Sequence, residues 1–153
     1  EIYTLSLHDA LPISACVMEE KSEKDFTVTA VGESETLVAD VEIIMEVADN
    51  LLSNAFRYAS QKVGLKLTVT AQDLKMSIGD DGTGFQKNTD TVTQAFYHEN
   101  PQDDLKHFGM GMYISRIYCE RHGGKLLIKN AADGGAEVEA VFKNYVSEEQ
   151  QQK

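Results

Sequence analysis

Apolar residues recur at helical spacing from Asp40 to about Gln61. At about 100° per residue these positions share one face, so the pattern predicts an amphipathic helix with Asp40 as its N-cap. The opposite face carries Asn50, Asn54 and Arg57, and the two asparagines lie one turn apart. The apolar stripe consists of Ile44, Ala48, Leu51, Leu52, Ala55 and Ala59.

Short alternating runs of apolar and polar residues predict five β-strands. The runs span residues 26–31, 65–69, 74–78, 125–129 and 136–144. A second helical repeat begins at Met110 and ends before Gly123, a residue type common just after helix C-termini. The order of strand, helix, hairpin, helix and hairpin predicts an α+β fold. We expect a two-layer α/β sandwich whose mixed, mostly antiparallel sheet carries the helices on one face.

Three further segments have weaker patterns. Residues 90–96 predict a short helix. The polar stretch His98–Phe108 is too long for a tight turn, and we expect it to form a mobile lid. Residues 146–153 are rich in glutamate and glutamine, and we expect them to be a disordered tail.

Composition narrows the classes of function. The chain has 153 residues and a formal net charge of −11 at pH 7. It is long enough for one globular core, but its charge argues against binding nucleic acid or an anionic membrane surface. Two cysteines without a paired pattern indicate a reducing compartment, and no apolar run reaches the roughly 20 residues of a membrane span. We therefore expect a cytoplasmic domain without direct membrane contact.

Candidate chemistry is concentrated in three stretches. The first is the helix segment DNLLSNAFRYA, residues 49–59. The second is GDDGTGF, residues 79–85, where Asp80 shares the parity of the buried strand residues and therefore points inward, where a carboxylate needs a partner. The third is HFGMGMYISR, residues 107–116, in which two glycines open a helix and can offer backbone N–H groups to an anion. Each stretch alone is weakly specific.

In this order and spacing, the three stretches resemble the ATP-binding domain of sensor histidine kinases. That domain belongs to the superfamily that also includes gyrase, MutL and the ninety-kilodalton heat-shock chaperones. The resemblance covers about Phe26–Tyr145, and the segment HGG at 122–124 strengthens it. It implies the Bergerat ATP-binding fold over residues 15–145, with ATP and Mg²⁺ as ligands and a role in bacterial two-component signal transduction.

The resemblance also implies roles for individual residues. Asp80 would accept a hydrogen bond from the adenine amine, which guanine lacks, and Gly82 and Gly84 would let the backbone pass close to the base. Asn54 would hold Mg²⁺, and Asn50 would contact a phosphate or a metal-bound water. The remaining members of the implied ATP site are Arg57, Tyr58, His107, Phe108, Gly109, Met110, Gly111 and Met112.

Asn50 also bears on the reaction. Hydrolysing relatives place a glutamate here that activates water, whereas an amide cannot act as a general base. The resemblance therefore implies that ATP is held intact and that its γ-phosphate passes to a histidine on a separate dimerisation and phosphoacceptor domain, with a response regulator as the indirect partner. This chain lacks that domain, so we expect a monomer that does not autophosphorylate alone and has no catalytic residue of its own. The parent kinase is expected to be membrane-anchored.

Three features depart from the family pattern. Asp81 stands where asparagine is common, and Met110 and Met112 stand where leucine is common. Both exchanges are expected to be tolerated. Ala136 follows a glycine pair where threonine is common, which predicts that a water-mediated contact to adenine is weaker or supplied in another way.

The N-terminal stretch TLSLHDALPI, residues 4–13, looks like a phosphoacceptor box around His8. The box is one residue short and has no basic residue, and it lies too close to the ATP-binding domain for the helical hairpin that carries such a histidine. The stretch is also similar to one reading frame of a common sequencing adapter. We therefore interpret residues 1–14 as a non-native leader, exclude them from the fold and exclude His8 from the site.

Two other functions stay open. A stand-alone serine kinase acting on an anti-sigma-factor antagonist belongs to the same superfamily, but the long predicted lid and the HGG segment favour the histidine kinases. A non-catalytic ATP-binding interaction module would keep the fold without turnover. The intact Asn54, Asp80 and both glycine pairs argue against such a module.

Overall fold

Seven strands and two helices make up the described part of the chain, residues 2–6, 23–32, 36–86 and 111–145 of a computed structural model. The predicted helix at 90–96, the whole predicted lid and the predicted tail lie outside these ranges. In chain order the elements are β1 (Ile2–Ser6), β2 (Asp25–Val31), β3 (Thr36–Asp40), α1 (Val41–Tyr58), β4 (Lys62–Val69), β5 (Asp73–Asp80), α2 (Gly111–Arg121), β6 (Lys125–Asn130) and β7 (Ala136–Lys143).

Helix α1 forms where the apolar stripe predicts it. The predicted N-cap is confirmed, because a side-chain oxygen of Asp40 accepts a hydrogen bond from the Ile43 N–H at 3.3 Å. The helix ends at Tyr58, before the predicted limit near Gln61, because Ala59 adopts an extended conformation and turns the chain toward β4. The buried face consists of Ile44, Val47, Ala48, Leu51, Leu52 and Ala55.

The main sheet has five strands in the order β2-β4-β5-β7-β6. Only the pair β2 and β4 is parallel among these neighbours, and the other three pairs are antiparallel. The predicted mixed, mostly antiparallel sheet is therefore confirmed. Alternate residues of β4 are buried on the face that the helices cover, and Val63 on that face lies opposite Asp80 in β5. This register places Asp80 at the end of the core, as its parity predicts.

The core lies between this sheet and both helices. Leu51 and Leu52 of α1 and Phe142 of β7 are at most 2% exposed, and Met112 and Cys119 bring α2 into the same cluster. Burial raises the pKa of the Cys119 thiol to about 12, so this cysteine packs as an unreactive apolar group. Among the described residues, no helix is both long and apolar enough to cross a lipid bilayer.

A second sheet pairs β1 with β3 in antiparallel fashion, with Ile2 opposite Asp40. Neither strand is predicted from the sequence. In β3 the apolar residues Leu37, Val38 and Ala39 are consecutive and show no alternation, and the interpretation of residues 1–14 as a leader removes β1 from the fold. The structure gives Ile2–Ser6 a strand. Their non-native origin stays a prediction.

Asn144 holds β3 against the main sheet. Its side-chain oxygen accepts a hydrogen bond from the Val38 N–H at 3.1 Å, and its side-chain nitrogen donates to the Thr36 carbonyl at 2.7 Å. The side chain is 1% exposed. A buried amide with both ends bonded fixes the strand that leads into α1.

Helix α2 ends at the predicted glycine. Gly123 has φ +77°, and its N–H donates to the Glu120 carbonyl, while the Gly124 N–H donates to the Cys119 carbonyl at 2.8 Å. This pair of bonds is the Schellman arrangement, which favours glycine because of the left-handed backbone.

His122, between α2 and this turn, is buried and structural. Its Nε2 accepts a hydrogen bond from the Asp40 N–H at 3.1 Å, and its ring stacks on Tyr145 with centroids 4.4 Å apart. Burial lowers the pKa of the imidazole, which favours the neutral ring that this acceptor role requires. The histidine of the HGG segment thereby positions the start of α1.

Candidate functional site

A cavity of about 290 Å³ opens between α1, the end of β5 and the first turn of α2. Its apolar walls are formed by Leu51, Ala55, Ile78, Met112, Ala136 and Val138. Its other lining residues are Asn54, Tyr58, Asp80, Thr83, Gly84, Phe85 and Gln86. A largely apolar cavity with a few converging polar groups is typical of a small-molecule site.

Asp80 supplies a carboxylate to the wall of this cavity. Its Oδ1 accepts hydrogen bonds from the Gly82 N–H at 2.9 Å and the Ala136 N–H at 3.4 Å. Burial raises the pKa of this carboxyl group, and these two N–H groups oppose the rise. Both bonds from the described residues end on Oδ1, which leaves Oδ2 as an acceptor for a ligand.

The two glycines after Asp80 are required by contacts within the protein. A Cβ on Gly82 would overlap the Tyr58 carbonyl at the end of α1. Gly84 has φ +76°, and a Cβ there would lie 2.7 Å from Oδ1 of Asn130. Close backbone packing therefore explains both positions. Their proposed approach to a base stays a prediction.

Asp81 binds backbone next to the site. Its Oδ1 accepts hydrogen bonds from the N–H groups of Ser60, Gln61 and Lys62, each at 2.9 Å. These bonds tie the turn after α1 to the end of β5. They also lower the pKa of the exposed carboxyl group, with the Lys62 N–H contributing most. An asparagine oxygen could accept the same bonds, so aspartate preserves the arrangement.

We expect Asp81→Ala to lower the Tm by a few degrees at neutral pH, and this deficit to shrink in acid. The ordinary aspartate pKa of 3.8 is lowered in the folded protein. The stabilisation is therefore complete above that ordinary value and is lost as the pH falls through the lower folded pKa. Thermal unfolding between neutral pH and about pH 2 measures it, with Asp81→Asn as the control that keeps an acceptor oxygen. A deficit that does not change with pH would contradict this role.

The polar face of α1 meets the start of α2 at the other end of the cavity. Asn50 lies beside Gly111, where a Cβ would be 3.9 Å from the Asn50 Cβ and Cγ. Asn54, one turn later, lines the cavity, and Met112 closes it from α2. The positive end of the α2 dipole therefore lies beside Asn50, an arrangement that favours an anion there.

Arg57 contacts Asn54 directly. Its Nη2 donates to Asn54 Oδ1 at 2.5 Å, and its guanidinium carbon lies 4.9 Å from the centre of the Tyr58 ring. The buried Nε of Arg57 has no hydrogen-bond partner among the described residues. A buried donor without a partner next to a cavity suits an anionic ligand.

The donor set for a metal ion is sparse. Within the described ranges, no group of three or more His, Cys, Asp or Glu side chains could hold an ion. The amide oxygen of Asn54 is a suitable hard ligand for Mg²⁺, although the Arg57 guanidinium is bonded to it here. The residues fit Mg²⁺ only where most ligands come from phosphate oxygens and water, and where Arg57 leaves Asn54.

Four residues of the predicted site lie outside the described residues: His107, Phe108, Gly109 and Met110. Their roles stay predictions. The structure brings together the other predicted members: Asn54, Tyr58, Asp80, Gly84 and Met112 line the cavity, and Asn50, Arg57, Gly82 and Gly111 contact those residues or their neighbours. From the same segment, Thr83, Phe85 and Gln86 also line the cavity and are not among the predicted site residues.

A protein-family model matches residues 39–145, the segment that holds every described part of this site. Its description is histidine kinase-, DNA gyrase B- and HSP90-like ATPase. The chain belongs to this ATPase family. Its members bind ATP, so the cavity beside Asp80 is the candidate ATP site.

Relatives within the ATPase family are sensor kinases. Sensor protein KdpD of Escherichia coli K12 is 30% identical over 100 residues, which cover 63% of this chain and 11% of KdpD. Sensor protein FixL of Bradyrhizobium diazoefficiens is 32% identical over 108 residues, which cover 67% of this chain and 21% of FixL. The chain therefore spans only a small part of these relatives.

Solved structures share the fold of this ATPase domain. The nucleotide-free catalytic domain of the histidine kinase ThkA has a TM-score of 0.81 at 21% identity and covers 94% of this chain and 96% of its own. The mycobacterial sensor histidine kinase MprB has a TM-score of 0.74 at 20% identity. The two-layer α/β sandwich is thereby confirmed. The family match and the sequence relatives identify the chain as an ATP-binding domain of the sensor-histidine-kinase type.

Proposed function

We propose that this domain binds Mg-ATP in the cavity beside Asp80 and donates the γ-phosphate to a histidine on a separate phosphoacceptor domain. The observation that carries the proposal is the Asp80 carboxylate in a largely apolar cavity: described residues bond to its Oδ1, and none of them bonds to its Oδ2. A partly buried carboxylate oxygen that lines such a cavity favours a ligand that brings a hydrogen-bond donor. The exocyclic amine of adenine is that donor.

Adenine would be held by the Asp80 carboxylate and by the apolar side chains of the cavity. Asp80 Oδ2 accepts from its amine, and the ring packs against apolar side chains, among them Ile78, Met112 and Val138. Guanine presents a carbonyl where adenine presents the amine, so two acceptors would face each other without a proton between them. The site is therefore expected to prefer ATP over GTP.

The triphosphate would extend from the adenine toward α1 and the start of α2. The Arg57 Nε, which no described residue bonds, and the α2 dipole beside Gly111 favour negative charge there. Mg²⁺ would be held by Asn54 and by phosphate oxygens and would neutralise part of the triphosphate charge. We expect Arg57 to exchange its bond to Asn54 for a phosphate oxygen.

Asn50 favours phosphotransfer to a partner domain over hydrolysis of ATP. The Asn50 amide cannot take a proton from water, so the bound ATP is expected to stay intact until an acceptor histidine arrives. We propose that residues 15–145 form this domain and that it lies in the cytoplasm. We also propose that the parent kinase is anchored in a membrane and that a response regulator is its indirect partner. The isolated chain is expected to be monomeric.

Transfer in trans tests this proposal. We expect the chain, mixed with Mg²⁺ and radiolabelled ATP, to label isolated phosphoacceptor domains from the relatives named above, several-fold over a reaction without the chain. The label should be acid-labile and alkali-stable, as phosphohistidine is, and should vanish when the acceptor histidine is replaced. Asn54→Ala serves as the inactive control for the ATP site.

The same assay separates the alternatives. Acid-stable label on serine would favour the stand-alone serine kinase. Bound ATP with no label on any acceptor would contradict histidine transfer and favour the interaction module.

A further inference from the structure

The side chain of Asn130 binds the backbone of Phe85, a residue of the cavity wall that lies 45 residues earlier in the chain. Its Oδ1 accepts a hydrogen bond from the Phe85 N–H at 2.7 Å, and its Nδ2 donates to the Phe85 carbonyl at 3.0 Å. One carboxamide thus satisfies both polar groups of one backbone residue. A neighbouring β-strand satisfies a backbone in the same way.

The segment that Asn130 holds is a wall of the cavity. Thr83, Gly84, Phe85 and Gln86 all line it. Among the described residues, the peptide groups of 83–85 make no backbone–backbone hydrogen bond. The Asn130 side chain therefore supplies backbone pairing that no described strand supplies.

The fit between Asn130 and this wall is close. Gly84 has a left-handed φ of +76°, and a Cβ there would lie 2.7 Å from the Asn130 Oδ1. Asn130 is the last residue of β6, and the following turn leads to Ala136, whose N–H is bonded to Asp80. The same turn region therefore holds both the cavity wall and the carboxylate.

We propose that Asn130 is a positioning residue of the nucleotide site: its carboxamide holds the backbone of Phe85 in the cavity wall and thereby sets the fit of the cavity around the base beside Asp80. This inference rests on the proposed nucleotide-binding function. It assigns a role to a residue that contacts the wall from outside and does not line the cavity.

Two variants of the full chain test the role. Asn130→Ala removes both bonds, and Asn130→Asp keeps an acceptor for the Phe85 N–H while turning a second oxygen toward the Phe85 carbonyl. Lys129→Ala is the matched control, because Lys129 is a neighbouring exposed residue on β6 that does not line the cavity. Calorimetric titration with a non-hydrolysable ATP analogue gives the affinity. NMR-detected hydrogen exchange without nucleotide reports the Phe85 amide.

In Asn130→Ala we expect about tenfold faster exchange at Phe85 and about tenfold weaker binding, the effect of losing two ordinary hydrogen bonds. Asn130→Asp should bind as weakly as Asn130→Ala. The Tm should fall by no more than a few degrees, and the protection of β4 and β5 should stay at the wild-type level, because the lost bonds lie outside these strands. Lys129→Ala should match wild type in all three measurements.

Wild-type affinity in both Asn130 variants would overturn the positioning role alone. Weaker binding accompanied by general loss of protection in β4 and β5 would overturn it in favour of a merely structural role. Wild-type protein that binds no nucleotide would contradict the proposed function and the positioning role with it. The two failures can be told apart, because the exchange of the Phe85 amide is measured without nucleotide and reports the Asn130 bonds even in a protein that binds none.

Discussion

Asp80→Asn is expected to weaken binding of an ATP analogue by at least about a hundredfold without unfolding the protein. The Gly82 and Ala136 N–H groups hold Oδ1, so the asparagine oxygen takes that position and its NH₂ group takes the position of Oδ2. Two donors would then face each other where adenine presents its amine. Because burial raises the pKa of Asp80, removing its charge also removes a desolvation cost, and the Tm should not fall.

The neighbouring carboxylate provides the matched control. Asp81→Asn makes the same chemical change one residue away, at a side chain that binds the N–H groups of Ser60, Gln61 and Lys62. It should bind the analogue within about twofold of wild type. Equal affinity of Asp80→Asn and wild type in calorimetric titration would remove Asp80 from the site.

Gly135→Ala is expected to destabilise the fold by about 3 to 5 kcal/mol and to abolish measurable nucleotide binding. Gly135 has φ +87°, and a Cβ there would overlap the Asp80 carbonyl oxygen and lie 3.2 Å from the Asp81 Cα. These are backbone atoms in and next to β5, so relief of the overlap requires movement of the strand end that carries Asp80.

Gly134→Ala separates this overlap from backbone strain. Gly134 also has a positive φ, +102°, but a Cβ there would have no atom within 4 Å. Its expected effect is the left-handed backbone penalty alone, about 1 to 2 kcal/mol, with nucleotide binding retained. Urea unfolding at equilibrium measures both variants. Similar losses of stability in Gly135→Ala and Gly134→Ala would show that overlap with the Asp80 backbone adds nothing to the cost of the substitution at Gly135.

Periodicity predicts the parts of this fold that follow a repeating burial pattern. The stripe on α1 and the alternation in β4 and β5 determine which faces are buried, and parity alone predicts that Asp80 points into the core. The glycine after α2 is predictable for a local reason, since the helix needs a left-handed residue there. The strand β3 is missed because its apolar residues Leu37, Val38 and Ala39 are consecutive and show no alternation.

Contacts between distant residues are not predictable from such patterns. The bonds from Asn130 to Phe85 and from Asp81 to Ser60 join segments 45 and 21 residues apart, and no local repeat records them. The apolar cavity residues Ile78 and Val138 have the same pattern as core residues, because both side chains are buried in the core and also line the cavity. Only the family resemblance predicts that the asparagines of α1 lie near the start of α2.

The central claim is that the cavity beside Asp80 binds an adenine nucleotide, and calorimetric titration of the wild-type chain tests it most directly. The titrants are non-hydrolysable analogues of ATP and GTP, each with and without Mg²⁺. We predict saturable one-to-one binding of the ATP analogue with a dissociation constant between about 1 µM and 1 mM, strengthened by Mg²⁺, and at least about tenfold weaker binding of the GTP analogue. A folded protein that binds neither analogue, or binds both equally, would contradict the account.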